Sequence, residues 1–448
     1  MKKIIALVLC LVMVFALCAC GESNTATTAP AADTATEAPA EEPAAAGSVY
    51  YLNFKPEADE AWQALAETYT KQTGVPVTVV TAASGTYDQT LTSEMDKSEA
   101  PTMFQVGNPG AVATWGEYCL DLTGTDVYNE MTTHAFDQVG DDGFTYSIGY
   151  CYECYGIIVN KALLEQAGHS IDEIKDFESL KAVADDIPAR AGELGFDAFS
   201  SAGLDSSSSW RFSGHLANMP LYYEFRDDGI TAQPETIKGT YLDNFKMIWD
   251  LYTTDSATTG ADLLTSTGDA SEAEFGEGKA VFFQNGSWEY ASLIGEKFNM
   301  DPANLQMIPI YCGVEGETDA GLCSGTENCW AINSKASEED IQASMDFLVW
   351  LVTDPDASAT YVEQLGAVPF KNCPASSNKF IVDGNELLSE GKYAVTWAFN
   401  YTPNVDSWRA TVVTALAAYS ADQSDANWQQ VVSAFVDGWA IEYDVVNG

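Results

Sequence analysis

Residues Tyr146–Lys161, YSIGYCYECYGIIVNK, decide how this chain is read. Tyr146, Ile148, Tyr150 and Tyr152 alternate with Ser147, Gly149 and Cys151, the period of two expected of a strand. The apolar run Ile157–Ile158–Val159 continues in the same extended sense, and Asn160 then opens an amphipathic helix at Ala162–Gln166. A buried strand normally sheds charge and polar aromatics, yet this one keeps Glu153 and four tyrosines in its middle. Two readings follow: a strand at a sheet edge, or a strand that crosses between two lobes and lends its mid-section to a ligand cleft.

Towards the N-terminus, Val49–Phe54 alternates like a first strand. Glu57–Gln72 carries Ala61, Trp62, Leu65, Ala66 and Tyr69 on one helical face, with Gly74 as its stop. Val75–Thr81 is the next strand. A βαβ opening predicts an α/β fold with mostly parallel sheets, whose ligands sit beyond the carboxyl ends of strands. Asn53 and Lys55 fall at such an end. So does Asn108, in the loop Gly107–Gly110 after the short strand Thr102–Val106. The plainer readings are a solvated loop charge for Lys55 and simple turn chemistry for Asn108.

Towards the C-terminus, Asp176–Ile187 is amphipathic and opens a second lobe, and Phe196–Ser201 reads as a strand. The serine run Ser206–Ser209 leads into Trp210 and Arg211, either loop packing or an exposed stacking platform. Helix Tyr241–Tyr252 puts Phe245, Ile248, Trp249 and Tyr252 on a core face. Ala280–Phe283 is a strand, Asn285–Gly286 a turn, and Trp288 the start of a helix. Leu305–Tyr311 is the strand leading to a second crossover, and Gly321–Asn328 is the loop back to the first lobe, with Glu327 and Asn328 beside the cleft. Asp340–Val352 is an apolar helix stopped at Asp354–Pro355, and Trp428–Ala440 is the last helix. Some 400 residues exceed what one hydrophobic core usually organises, which also predicts two lobes.

The segment IIVNKALL, Ile157–Leu164, resembles the Tyr-Asn-Lys-Asp-Leu stretch after the first inter-lobe crossover of bacterial extracellular solute-binding proteins of the maltose-binding type. EFGEGKAVFFQNGSWEY, Glu274–Tyr290, resembles that family's phenylalanine–glycine–lysine–alanine–apolar strand with its glycine turn and tryptophan. LGAVPF, Leu365–Phe370, is similar to its short strand after the apolar helix. The resemblance runs from about Val49 to the C-terminus. It implies a two-lobed, periplasmic-binding-protein-like α/β fold with helices on both faces of the sheets and three crossover hinge segments, the third near Gly391–Thr402. The lobes would be 49–153 plus 327–392, and 154–326 plus 393–448. It implies a receptor, not an enzyme, that captures a carbohydrate, a neutral oligosaccharide, by hinge closure and delivers it to the permease subunits of an ABC importer. Glu153 would accept sugar hydroxyls. Trp210, Trp288 and Trp408 would stack on sugar faces, with Trp397 a further candidate. Asn53, Lys55, Asn108, Arg211 and Glu327 would supply polar contacts. The implied protein is a monomer with no catalytic residue, cofactor or metal.

Composition narrows the partners. The chain sets 66 acidic against 20 basic residues, a formal net charge of −46. That excludes nucleic acid, whose phosphates need basic patches, and disfavours an anionic ligand while fitting a neutral or cationic one. Residues 1–19 read as a lipoprotein signal: Lys2 and Lys3, an apolar run Ile4–Leu17, then a Leu17–Gly21 stretch that resembles a lipobox, with Cys20 as the lipid-bearing residue. Residues 20–48 read as the acylated cysteine and a disordered Ala/Thr/Pro/Glu tether, of coil dimension about 30 Å. The chain is thus expected at the extracellular face of the cell membrane. Cys119, Cys151, Cys154, Cys312, Cys323, Cys329 and Cys373 are odd in number and read mainly as small buried residues. Two alternatives stand beside the carbohydrate receptor. One is the same fold holding a peptide or polyamine, favoured if acids line the cleft. The other is a surface glycoside hydrolase, for which no motif appears; His134, His169 and His215 are scattered. Convergence of the tryptophans in one cleft would favour sugar.

Overall fold

Two mixed sheets flank a cleft, and the direction of each strand relative to that cleft explains its pairing. The computed structural model describes residues 47–448; the expected signal, the lipid-bearing Cys20 and the tether as far as Ala46 lie outside the described residues. At the boundary the backbone N–H and hydroxyl of Ser48 both donate to Asp340 Oδ1, at 2.7 and 2.9 Å.

The strands in chain order are β1 Val49–Asn53, β2 Val77–Thr81, β3 Met103–Gln105, β4 Gln138–Val139, β5 Thr145–Gly149, β6 Glu153–Asn160, β7 Asp197–Phe199, β8 Ala280–Gly286, β9 Leu305–Ile308, β10 Ala320–Gly325, β11 Cys329–Ile332 and β12 Tyr393–Thr396. The first sheet runs β2-β1-β3-β11-β5-β4; the second runs β12-β10-β6-β8-β7, with β9 beside β6. The sheets are mixed, where mostly parallel ones were expected. Only β1–β2, β1–β3, β7–β8 and β10–β12 pair in parallel. Strands that leave a sheet towards the cleft share one direction. Strands that enter from the other lobe run against them: β11 against β3 and β5, β6 against β8 and β10. Crossing the cleft therefore fixes the antiparallel partners.

The quoted stretch is the first crossover. β5 ends at Gly149, Tyr150–Tyr152 bridge, and β6 starts at Glu153, buried along its whole length. Asn160 caps the following helix, its side chain accepting from Leu163 N–H. The second crossover is Thr326–Asn328 only, because the expected return loop is mostly the strand β10, hydrogen-bonded to β6 and β12. β9 stops at Ile308 and packs beside β6 instead of leading to that crossover. The third passage also differs from expectation. Helix Lys379–Ser389 buries Phe380 and Ile381 among Cys154, Phe283, Met307 and Leu322, all of the second lobe. The chain has therefore crossed by 371–378, and the expected boundary at 392 moves forward because that helix needs the second sheet to cover its apolar face.

Each lobe has its own core. In the first, helix Asp59–Thr73 buries Trp62, Leu65, Ala66 and Tyr69, and Gly74 ends it with a left-handed φ of 81°. Trp62 meets Trp330 and Tyr361 there. Burial of each such large side chain contributes roughly 1.5–3 kcal/mol. All seven cysteines among the described residues are free, and all but Cys373 are buried.

Candidate functional site

The carboxyl ends of β1, β2, β3 and β5 face those of β7, β8, β10 and β12, as expected for an α/β ligand site. Between them lies a cavity with about 1170 Å³ of empty space, mouth included. The lobes touch around it: a Cβ on Gly85 of the first lobe would sit 2.5 Å from Ser206 O of the second.

The floor is a buried ion pair. Lys55, just past β1, donates to Glu153 Oε1 at 2.5 Å and lies 2.9 Å from Glu57. Asn328 Nδ2 donates to the other Glu153 oxygen at 2.6 Å, so the first and second crossovers are joined through one carboxylate. Burial works against the Lys55 ammonium, but Glu153 and then Glu57 outweigh it and hold its pKa well above the ordinary value.

The second-lobe wall is aromatic. Trp210 and Trp288 lie 5.8 Å apart, centroid to centroid, and His215 is within 6 Å of both and of Trp397. Gly286 permits this, since a Cβ there would strike the Trp288 ring at 2.2 Å. Lys55 Nζ sits 5.8 Å from the Trp288 ring, tying wall to floor. Burial, then Arg409 and Arg211, push the His215 pKa well below its ordinary value, so its imidazole is neutral. His215 Nδ1, Trp288 Nε1 and Trp397 Nε1 are buried without a hydrogen-bond partner.

The mouth is acidic. Asp88, in the first turn of helix Tyr87–Met95, faces Asp406, in the first turn of helix Val405–Ala421. Although Asp88 retains contact with solvent, the surrounding protein and then Asp406 push its carboxyl up, to about 7. Burial also raises Glu327; Arg409 opposes the rise, and Asp406 and Glu153 add to it. Among the described residues no group of three or more His, Cys, Asp or Glu side chains could hold a metal ion. The arrangement is one for binding: flat faces on one side, committed charge below, uncommitted charge at the rim.

The sequence model described as bacterial extracellular solute-binding protein matches residues 64–383. This chain belongs to that family. Curated protein sequences give no significant match. Among solved structures it is similar to RafE in complex with raffinose (15% identity, TM-score 0.68, 88% of this chain and 99% of that one). It is also similar to a chitin oligosaccharide binding protein (16%, 0.68, 89% and 99%). A third is a sugar transporter of Bacillus licheniformis in complex with stachyose (16%, 0.65, 88% and 100%). At such identities the likeness speaks for the fold, which is the periplasmic-binding-protein-like one.

In this solute-binding protein the cavity is lined by Lys55, Asn108, Glu153, Trp210, Trp288 and Glu327 of the expected contacts. Asn108 also caps helix Pro109–Trp115 through its oxygen. Three expected contacts lie elsewhere. Asn53 is fully buried and braces the Lys55 loop, donating to Lys55 O and Thr81 Oγ1 and accepting from Lys55 N–H. Arg211 is buried in a cage of Ser201 O, Ser208 Oγ, Ser271 Oγ and Gln284 O, where its five donors are needed. Burial lowers its pKa to about 10, and it stays charged. Trp408 is packed against Phe435 and Trp439 and donates to Phe435 O. On a helix its side chain points back to the preceding turn, and that direction here is the core. Trp397 and Asn328, the further candidates, also line the cavity, whereas His215, Asp88, Asp406 and Arg409 line it without having been expected. For Asp88 and Asp406 the first turn of a helix beside a strand end was a readable signal; for His215 there was none.

Proposed function

We propose that this protein captures a carbohydrate by closing its lobes over the cleft and passes it to the permease of an ABC importer. The observation that carries this is the convergence of Trp210, Trp288 and Trp397 on one wall, the indole N–H groups of Trp288 and Trp397 being buried without a partner while that of Trp210 donates to Ser207 O. A tryptophan face matches the C–H face of a pyranose. A buried donor without a partner costs about 1–3 kcal/mol, which a sugar oxygen would relieve. The family's structural neighbours with raffinose, stachyose or chitin oligosaccharide in their names support the same class. The six expected contacts that line the cavity serve as ligand contacts in this reading. Cys20 carries the lipid and the segment to Ser48 is the tether that lets a monomer at the outer membrane face reach its permease.

The test is thermal shift and calorimetry with mono- and oligosaccharides, polyamines and peptides. A ligand at about 100 times its Kd adds roughly 2.7 kcal/mol. Sugar binding that Trp288→Ala abolishes is the expected result. Binding of polyamines or peptides alone overturns it.

A further inference from the structure

Resting on the carbohydrate reading, the cleft further defines its ligand. Two features that separately point to different ligands occur together. The tryptophans converge, as for a sugar. The charge is that of a cation site: Glu57, Asp88, Glu153, Glu327 and Asp406 line the cavity against Lys55 and Arg409. Lys55 is spent on Glu153 and Glu57. That leaves Asp88, Glu327 and Asp406, one from each lobe and one from the second crossover, sharing Arg409 alone. Arg409 is no substitute for a ligand here, since it forms no ion pair within 4 Å among the described residues; its guanidinium instead lies over Phe399, 5.3 Å from the ring. An independent observation marks the same cavity. Trp397 and His215, each only 6% exposed, are among its lining residues, and Trp397 Nε1 and His215 Nδ1 are buried without any partner. Like-charged groups from two lobes would oppose closure unless a positive charge enters with the ligand.

We infer that the solute is an amino sugar or an oligosaccharide containing one, its protonated amine held between Asp88, Asp406 and Glu327 while its pyranose face lies on Trp210 and Trp288. The ammonium supplies up to three donors, which suits a cavity that carboxylates from three separate elements line. The indole N–H groups of Trp288 and Trp397 donate to ring or hydroxyl oxygens, which a polyamine lacks. Both halves of the site are used only by a ligand that is at once saccharide and cation.

The test compares one disaccharide with a free primary amine and its N-acetylated form, which has the same ring and no charge. Calorimetry on the full chain at about pH 6.5 keeps the amine protonated. The free amine binds about ten-fold tighter or more, and the ratio falls towards one in Asp406→Asn and in Glu327→Gln. A second readout is pH. Asp88 faces Asp406, Glu327 and Arg409, and Glu327 also feels Glu153; as Asp88 and Glu327 ionise, amine affinity rises with pH while that of the acetylated sugar does not. Equal affinities, or tighter binding of the acetylated sugar, overturn this inference and leave the carbohydrate reading intact. Failure of every saccharide overturns both. A ratio unchanged in both variants overturns the assignment to the rim carboxylates.

Discussion

Replacing Glu153 by Gln tests the floor of the cleft most directly. The side chains of Lys55 and Glu153 are 5% and 6% exposed, so the pair is shielded from water and salt. Removing one partner of a buried pair typically costs about 3–5 kcal/mol, because the other charge stays buried. Glu57 remains 2.9 Å from Lys55, but it is 34% exposed and recovers only about 0–1 kcal/mol. The expected loss is thus about 2–5 kcal/mol. With an unfolding entropy of about 2.1 cal/mol/K per residue over some 400 residues, Tm falls by roughly 2–6 °C. Because Lys55 is raised above its ordinary value of 10.5, the stability it gains from its acids is full below that pH and lost only above it. The Glu153→Gln penalty should therefore be flat from about pH 6 to 9. Urea unfolding measures it. The double variant Lys55→Met/Glu153→Gln should be less destabilised than the sum of the singles, since no buried charge is stranded. A single variant within about 0.5 kcal/mol of the parent, or an additive double variant, would refute the argument.

Trp408→Ala should cost about 3–5 kcal/mol of stability by leaving a cavity against Phe435 and Trp439, with sugar affinity nearly unchanged; urea melts and calorimetry on the same sample separate the two. An uncharged sugar should bind more tightly as pH falls. The closed form raises Asp88 from 3.8 to about 7, so between those values it holds a proton that the open form releases, and acid favours closure. Asp88→Asn should flatten that dependence, and an unchanged profile would exclude Asp88 as its source. Gly85→Ala should hold the lobes apart, since φ is +73° and the new Cβ would meet Ser206 O at 2.5 Å. Small-angle scattering with saturating sugar should then report a larger radius than the parent, and equal radii would contradict the contact.

The order of the lobes was legible because crossing strands carry unusual residues: a carboxylate and tyrosines in an otherwise apolar run fit a sheet edge or a strand that leaves its sheet, and the structure has the second. Lys55 and Trp288 were legible for the related reason that strand ends face the cleft, and Glu153 from the family resemblance of the crossover. What failed was side-chain direction. Asn53, Arg211 and Trp408 stand beside cleft residues in sequence, yet each turns inward: Asn53 to tie a loop, Arg211 to serve four acceptors, Trp408 to fill a helix seam. Periodicity gives the face of a regular element but not the rotation of a residue at its end. The third crossover was misplaced for a different reason. Helix Lys379–Ser389 is amphipathic on either lobe, and only the partner of Phe380 and Ile381 decides which.

The first turn of a helix beside a strand end marks Asp88 and Asp406 singly, but what they do together depends on a distance between lobes that no local pattern carries. Asp88 and Asp406 are over 300 positions apart in the chain. Each alone is an ordinary acid in the first turn of a helix, where the helix dipole favours it. In the open protein, water would separate them. Closure sets them against each other, so the closed state carries a cost that the open state does not. Whatever removes that cost selects for closure: a proton does so unspecifically, and a cationic group on the ligand does so only when the ligand is in place. A receptor whose closed form is disfavoured until an ammonium arrives discriminates by differential binding to two conformations, which is the only way a ligand can shift them.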